Sequence, residues 1–241
     1  TIDSIVQTLS YDVGYECFVS TSISGSNFTA GTYSISVAGA DAAGNSMPTP
    51  DTSASIEIFS EYSTTLYSET DTRTSEEKPT TNYDGAEHLY IGASSSGRGR
   101  TYISFDVSTF EGREIQSATL TVYAMSGTCH SSFNNTDCSH DLGAEVYEIL
   151  TDWDATALTW NTASSYDDTT VIDNTTINEA YGGGGSYTFN VTSLVQTWAD
   201  GTNYGLLLKA DSTGESTSSQ VDVTLGASES SSPARLDFTY R

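Results

Sequence analysis

Positive charge is what this sequence has least of. Eight Lys and Arg stand against 32 Asp and Glu over 241 residues, a formal net charge of −24, and Lys78 and Lys209 are its lysines. A chain with no basic patch cannot displace the counterions of a phosphate backbone or an anionic bilayer, which excludes nucleic acid and membrane surfaces as partners. Long apolar runs are missing too, so no segment inserts into a membrane as a helix. The chain lacks an initiator Met and a signal-peptide pattern at Thr1, as expected of a mature fragment or of an excised piece of a longer chain. Chemistry-bearing motifs are equally scarce. There is no Gly-Xaa-Ser-Xaa-Gly elbow, no EF-hand loop and no internal repeat, and the run Gly182 to Gly185 lacks the Lys-Ser/Thr of a phosphate loop.

The acids are interleaved with Ser, Thr, Gly and Tyr, which reads as a solvated coat on a folded protein. Such a coat suits a salt-rich or divalent-rich milieu, where screening suppresses self-repulsion. Fifteen Tyr, eight Phe and three Trp, many in alternating segments, argue against disorder.

Tyr33, Ile35 and Val37 alternate with polar residues, Asp41 to Asn45 reads as a turn, and Ser53 to Phe59 as a closing strand. The pattern resembles the last two strands of a bacterial immunoglobulin-like domain. Residues 1–60 are too few for a whole sandwich of about 100 residues, so this reads as a partial domain. The missing strands are explained either by truncation or by self-association, in which the open edge recruits a donated strand. Residues 61–241 carry short strands between Gly/Ser/Asn/Asp turns: 89–91, 101–107, 118–124, 144–149, 187–191, 204–210, 221–225 and 235–240. The prediction is all-β: an antiparallel β-sandwich or jelly roll with one short helix, preceded by a partial Ig-like β-sandwich. The helix is expected over Ser193 to Ala199, where Leu194, Val195 and Trp198 share a face. Two polar stretches, Ser126 to Leu142 and Tyr166 to Ser186, read as long loops.

Cys129 and Cys138 bracket one of these loops, and a disulfide closes such a loop readily outside the cell. The alternative is zinc held by Cys129, His130, Cys138 and His140, although the spacing matches no standard finger. Cys17 is left as a buried thiol or a partner for a residue elsewhere. Sequons at Asn27, Asn134, Asn174 and Asn190 are glycosylation candidates. Carboxylates are too abundant to single out a glycosidase pair, and Asp152-Trp-Asp154, whose acids would share one face of a strand, is the best local one. His88 reads as an ordinary strand residue. A structural calcium ion is compatible with the oxygen ligands of Asp71 to Glu77, Tyr83 to Gly85 and Asp167-Asp168, with no defined ligand set.

The segments Thr81-Asn-Tyr-Asp-Gly85, Ser104-Phe-Asp-Val107, Ser117-Ala-Thr-Leu-Thr-Val-Tyr123, Trp153 through Trp160, Thr188 through Trp198 and Asn203-Tyr-Gly-Leu-Leu-Leu-Lys209 form a framework. In that order it resembles the DNRLRE family, β-sandwich modules of secreted and cell-surface microbial proteins, some of them carbohydrate-binding. The resemblance implies a core containing Phe105, Leu120, Val122, Trp160, Phe189, Trp198 and Leu207, with Trp153 and Trp160 at a structural corner. It also implies a non-catalytic extracellular module whose partner is a polysaccharide or cell-surface glycan, with no cofactor required. Some members bind acidic polysaccharide. Here Arg73, Arg98, Arg100 and Arg113 are few and scattered along the sequence, which favours a neutral glycan held by aromatic faces and polar side chains. Tyr166, Tyr181 and Tyr187, in or beside the second loop, and Arg98 and Arg100 are the ligand-binding candidates. The competing readings are a structural subunit of an extracellular filament, stalk or surface layer and, behind it, an accessory part of a polysaccharide hydrolase or lyase.

Overall fold

The computed structural model describes residues 59–125, 141–178, 184–216 and 221–241, together with the backbone of four strands before residue 59. The expectations placed on Asn27, the turn 41–45, Cys129, His130, Asn134, Cys138, His140, Tyr181 and the side chain of Cys17 lie outside the described residues. The chain divides into two compact units, Thr1–Ser60 and Glu61–Arg241. In the first, β1 (Ser10–Asp12) pairs with β2 (Cys17–Val19), and β3 (Gly31–Val37) pairs antiparallel with β4 (Asp51–Ile58). The latter pair coincides with the strands expected from alternation.

Among the described residues the second unit is an antiparallel, eleven-stranded, all-β arrangement packed around a main core. Its strands are β5 (Tyr62–Tyr67), β6 (Thr70–Ser75), β7 (His88–Ser94), β8 (Gly97–Ser104), β9 (Ile115–Ala124), β10 (Leu142–Glu148), β11 (Asp173–Ile177), β12 (Gly185–Asn190), β13 (Leu206–Ala210), β14 (Asp222–Gly226) and β15 (Arg235–Tyr240). The order is β11-β10-β13-β8-β7-β14-β9-β15-β5, with β6 alongside β8 and β12 alongside β9. Alternation places Leu142, Ala144 and Val146 of β10, Leu206 and Leu208 of β13, Leu120 and Val122 of β9 and Leu236 and Phe238 of β15 in the core. Helix α1 (Thr192–Ala199) adds Leu194, Val195, Trp198 and Ala199 from one face. Gln196 fixes the helix against β9: its Oε1 accepts from Ile115 N–H and its Nε2 donates to the Arg113 carbonyl.

A second, smaller cluster lies on the opposite face of the same central strands. Tyr102 of β8, Leu207 of β13 and Tyr147 of β10 stand side by side in register, joined by Ile149 and Leu158. The segment from Leu150 to Val171 covers them with Trp153 and Tyr166 packed against the cluster. Its turns are pinned by Asn82, whose Nδ2 donates to the carbonyls of Ala155 and Leu158, and by Trp153 Nε1 donating to the Tyr204 carbonyl at 2.8 Å. β8, β13 and β10 are thus buried on both faces.

The structure corrects several sequence expectations. β11 lies inside the stretch read as a continuous loop; Asp173-Asn-Thr-Thr-Ile177 offers a single apolar side chain, Ile177, to announce it. β5 and β6 were not expected either. β6, Thr-Asp-Thr-Arg-Thr-Ser, has no aliphatic residue and buries Asp71, Thr72 and Thr74 instead. Six of the seven expected core residues are buried. Trp160 is the exception: it is half-buried on a 3-10 turn, Trp160–Thr162. Asp152 and Asp154 sit in irregular chain rather than on a strand, and Asp154 Oδ1 accepts from Thr156 N–H and Oγ1–H.

Asp71 is 3% exposed, and its carboxylate accepts from the backbone N–H and hydroxyl of Ser228, tying β6 to the turn before β15. Burial raises its pKa above the ordinary carboxylate value, outweighing those hydrogen bonds. A raised folded-state pKa gives a contribution that is complete below the unfolded value and lost as pH rises through the folded one. Asp71→Asn keeps an acceptor for Ser228 without a buried charge. We expect it to match or exceed the wild type in urea midpoint at pH 7 and to give no gain at pH 3; a lower midpoint at pH 7 would show that the charge itself stabilises the fold.

Candidate functional site

The β7–β8 hairpin and the segment after β6 enclose a cavity of about 350 Å3, lined in part by Arg73, Thr74, Lys78, Tyr83, Tyr90 and Arg98. Its floor depends on Gly92, which has φ +113° and lies so close to the Val221 carbonyl that a Cβ would collide with it. Arg73 projects from β6 between two aromatic rings, its guanidinium carbon 3.9 Å from the Tyr90 centroid and 4.4 Å from that of Tyr83. Its Nε and Nη1 are buried without a protein hydrogen-bond partner, as is Thr74 Oγ1. Burial lowers the Arg73 pKa, countered by the two tyrosines, and a guanidinium remains cationic all the same.

Among the described residues, ion pairs take up Arg98, Arg100, Lys209, Arg235 and Arg241, and leave Arg73, Lys78 and Arg113 without a carboxylate. Two of these three line the same cavity. Its walls also include Glu77 and Asp222, so the site is mixed in charge but rich in donors.

Arg98 closes one side. Its Nε and Nη2 donate to Glu76 at 2.9 and 2.7 Å, and its backbone N–H donates to the same carboxylate. The hydrogen bonds from Arg98 hold the Glu76 pKa below its ordinary value, and Glu76 raises that of Arg98 in return. Two residues along β8, Arg100 makes a two-point contact with Glu215 at 2.6 and 2.9 Å. Burial alone would lower the Arg100 pKa, but Glu215 outweighs it and the net direction is upward. Lys209 continues the row, bonding Glu145 at 3.2 Å and lying 4.0 Å from Glu215. Trp160 rests on the pair of arginines, 5.4 Å from the Arg98 guanidinium and 5.0 Å from that of Arg100, and the Tyr166 ring lies 5.6 Å from the latter. Beneath them, burial pushes the Tyr102 hydroxyl up to about 12 and raises that of Tyr147, which donates to Glu145.

Arg98, Arg100 and Tyr166, named from the sequence, therefore come together. Tyr187 does not join them: it packs beside the main core and donates its hydroxyl to the Asn178 carbonyl. Arg73, Lys78, Tyr83, Tyr90 and Trp160 escaped sequence reasoning as site residues. The expectation of scattered cations gives way to Arg73, Lys78 and Arg98 lining one cavity, while Arg100 pairs with Glu215 and Arg113 stands apart next to α1. Among the described residues, no group of three or more His, Cys, Asp or Glu is placed to hold a metal ion. Asp71 bonds Ser228, and Asp167 Oδ1 accepts from Thr169. Of the sequons, Asn174 is exposed on β11, and Asn190 Oδ1 accepts from Thr192 N–H and Oγ1–H. No helix among the described residues is long and apolar enough to cross a membrane.

Arg100→Lys would keep the charge but lose the two-point contact and the flat surface under Trp160. A cost of about 1–3 kcal/mol in unfolding free energy is expected, read from chemical denaturation; an unchanged midpoint would mean the row is ornamental to stability.

The model of carbohydrate-binding module family 96 matches residues 62–236, from the first strand of the second unit into its last. No curated protein matches the chain. Among solved structures, a chain of the cryo-EM atomic structure of broad bean stain virus is similar at 12% identity over 78% of this chain and 87% of that one, with a TM-score of 0.19, too low to carry an argument.

Proposed function

The chain belongs to carbohydrate-binding module family 96, and on that premise we propose that it is a non-catalytic module of a secreted or cell-surface protein whose Arg73 cavity takes a carboxylate-bearing sugar residue. The observation that carries this reading is the pair of donors at Arg73 Nε and Arg73 Nη1, buried with no protein acceptor on a residue that lines the cavity. Leaving such donors unsatisfied costs about 1–3 kcal/mol each, and a charge-assisted bond to a carboxylate recovers roughly 1.5–3 kcal/mol. Tyr83 and Tyr90 already have a guanidinium against their rings, so they serve as a clamp that aims Arg73 rather than as sugar platforms. Lys78 supplies a second cation at the rim, where it is exposed.

A net charge of −24 opposes an acidic glycan at long range. That repulsion acts over a Debye length of about 30 Å at 0.01 M salt and about 8 Å at 0.15 M, whereas a contact inside a cavity is screened much less. Salt therefore removes the repulsion before it weakens the grip. Affinity for a polyuronate such as polygalacturonate is expected to rise between 10 and 150 mM salt (about these values, by the same screening lengths), the reverse of ordinary polyelectrolyte binding. Isothermal titration against polygalacturonate, dextran and a β-glucan tests the choice of ligand. Lys78→Ala, at an exposed position, should weaken polyuronate binding about tenfold, equivalent to about 1.4 kcal/mol, and Arg73→Ala should abolish it. Equal affinity for the neutral polymers, or indifference to Lys78→Ala, would return the neutral-glycan reading to first place.

A further inference from the structure

The Arg73 cavity has acids in its lining that the grip on a carboxylate does not use. Its charged residues are Arg73, Lys78 and Arg98, and against them Glu77 and Asp222. Arg98 is already matched by Glu76. The remaining cations and acids stand two against two, so the lining is close to neutral as a whole. Glu77 and Lys78 are exposed, whereas Arg73 and Asp222 are part-buried.

Register fixes how the two part-buried charges are disposed. Asp222 of β14 stands opposite Gly92 of β7, Gly92 opposite Gly99 of β8, and Gly99 opposite Ser75 of β6. All four members of this row across four strands line the cavity. Arg73 lies two residues along β6 from Ser75 and so leaves the same face of the sheet. Its guanidinium reaches back over Tyr90, two residues along β7 from Gly92. Between Asp222 and the arginine wall the floor is therefore glycine backbone. No side chain fits at its centre, because a Cβ on Gly92 would meet the Val221 carbonyl and the Asp222 Cα.

We infer that Asp222 is a specificity-determining residue of the cavity: a sugar lying on the glycine strip sends its carboxylate to Arg73 and donates ring hydroxyls to Asp222. This rests on the carboxylate reading above and deepens it by naming the substrate class, a singly charged uronate whose hydroxyls are free. A carboxylate offers about four acceptor positions, enough to bond its own surroundings and a ligand together. A sulfate ester on those hydroxyls removes the donor and sets a second anion against Asp222, a repulsive element of the kind that builds specificity. An O-acetyl group removes the donor alone, and a site made to bond a hydroxyl discriminates against its loss.

Titration at about 0.15 M salt, where charges are screened beyond about 8 Å, compares polygalacturonate with the same polymer after O-sulfation and after O-acetylation. The unaltered protein should bind the sulfated polymer at least about tenfold more weakly than the parent, equivalent to about 1.4 kcal/mol, with the acetylated polymer between them. Asp222→Asn keeps the shape and an acceptor but removes the charge. It should bind the parent about fivefold more weakly and narrow the gap to the sulfated polymer to about threefold. In a chain of net charge −24 one charge hardly alters the distant field, so that narrowing reports contact. A measurement on the unaltered protein stands beside the variant: with aspartate carrying carbon-13 at the side-chain carboxyl, the Asp222 resonance should move on adding trigalacturonate and stay on adding maltotriose. Sulfated polymer bound as tightly as the parent, an unchanged preference in Asp222→Asn, or a still resonance at saturating trigalacturonate overturns the role of Asp222 and leaves the Arg73 cavity standing. Absence of binding to the parent polymer overturns the proposed function, and this inference with it.

Discussion

Strands β8, β13 and β10 must be apolar on both faces at once, and the rest of the second unit is arranged around that requirement. A sheet with one wet face can be read from simple alternation, but a strand covered on both sides needs a second layer. Here that layer is not another sheet. It is the irregular segment between Leu150 and Val171, held down by Asn82, by the indole N–H of Trp153 and by the cluster of Tyr102, Tyr147 and Leu207. Where the apolar cover stops, the same outward rows continue as Arg98, Arg100, Lys209 and Glu145. The ionic row begins at the seam between the two.

That seam accounts for how a strongly acidic protein places its few cations. Arg98, Arg100 and Lys209 are neutralised locally by Glu76, Glu215 and Glu145, at positions where an unpaired charge would be costly to bury. Their work is architectural. Arg73 differs because its compensation comes from π faces rather than a carboxylate. A ring stabilises a cation without occupying its hydrogen-bonding edge, so the guanidinium is tolerated in a partly dry site and still has donors to offer. A carboxylate in place of either tyrosine would have stabilised the arginine more and left less for a ligand.

Much of this could be read in the chain. Strands β9, β10, β13 and β15 and helix α1 announce themselves through Leu120 and Val122, Ala144 and Val146, Leu206 to Leu208, Leu236 and Phe238, and Leu194 with Trp198, because apolar periodicity is a local signal. β6 and β11 were invisible for the complementary reason: threonine and aspartate in a row describe a turn as well as a strand, and only their neighbours decide. The site was half-legible. Arg98, Arg100 and Tyr166 were recognisable as unusual residues in polar surroundings. Arg73 reads in the sequence as one more isolated cation, since its partnership with Tyr83 and Tyr90 exists only after β6, the following loop and β7 have been brought together. Trp160 belongs to the core only by the family resemblance, and in the structure it lies half-buried against the guanidinia of Arg98 and Arg100.

A strand lacking aliphatic side chains draws little from hydrophobic burial. β6 is fastened to its place by the backbone ladder with β8, by Asp71 reaching Ser228 and by Arg73 inserted between two tyrosines. The residue proposed to meet the glycan is thus also one of the bolts of the strand. Occupancy of the cavity and attachment of β6 then share one equilibrium, and by linkage a bound ligand lengthens the lifetime of amide protons along residues 70–75, far more than in the apolar strands, which are secure without it.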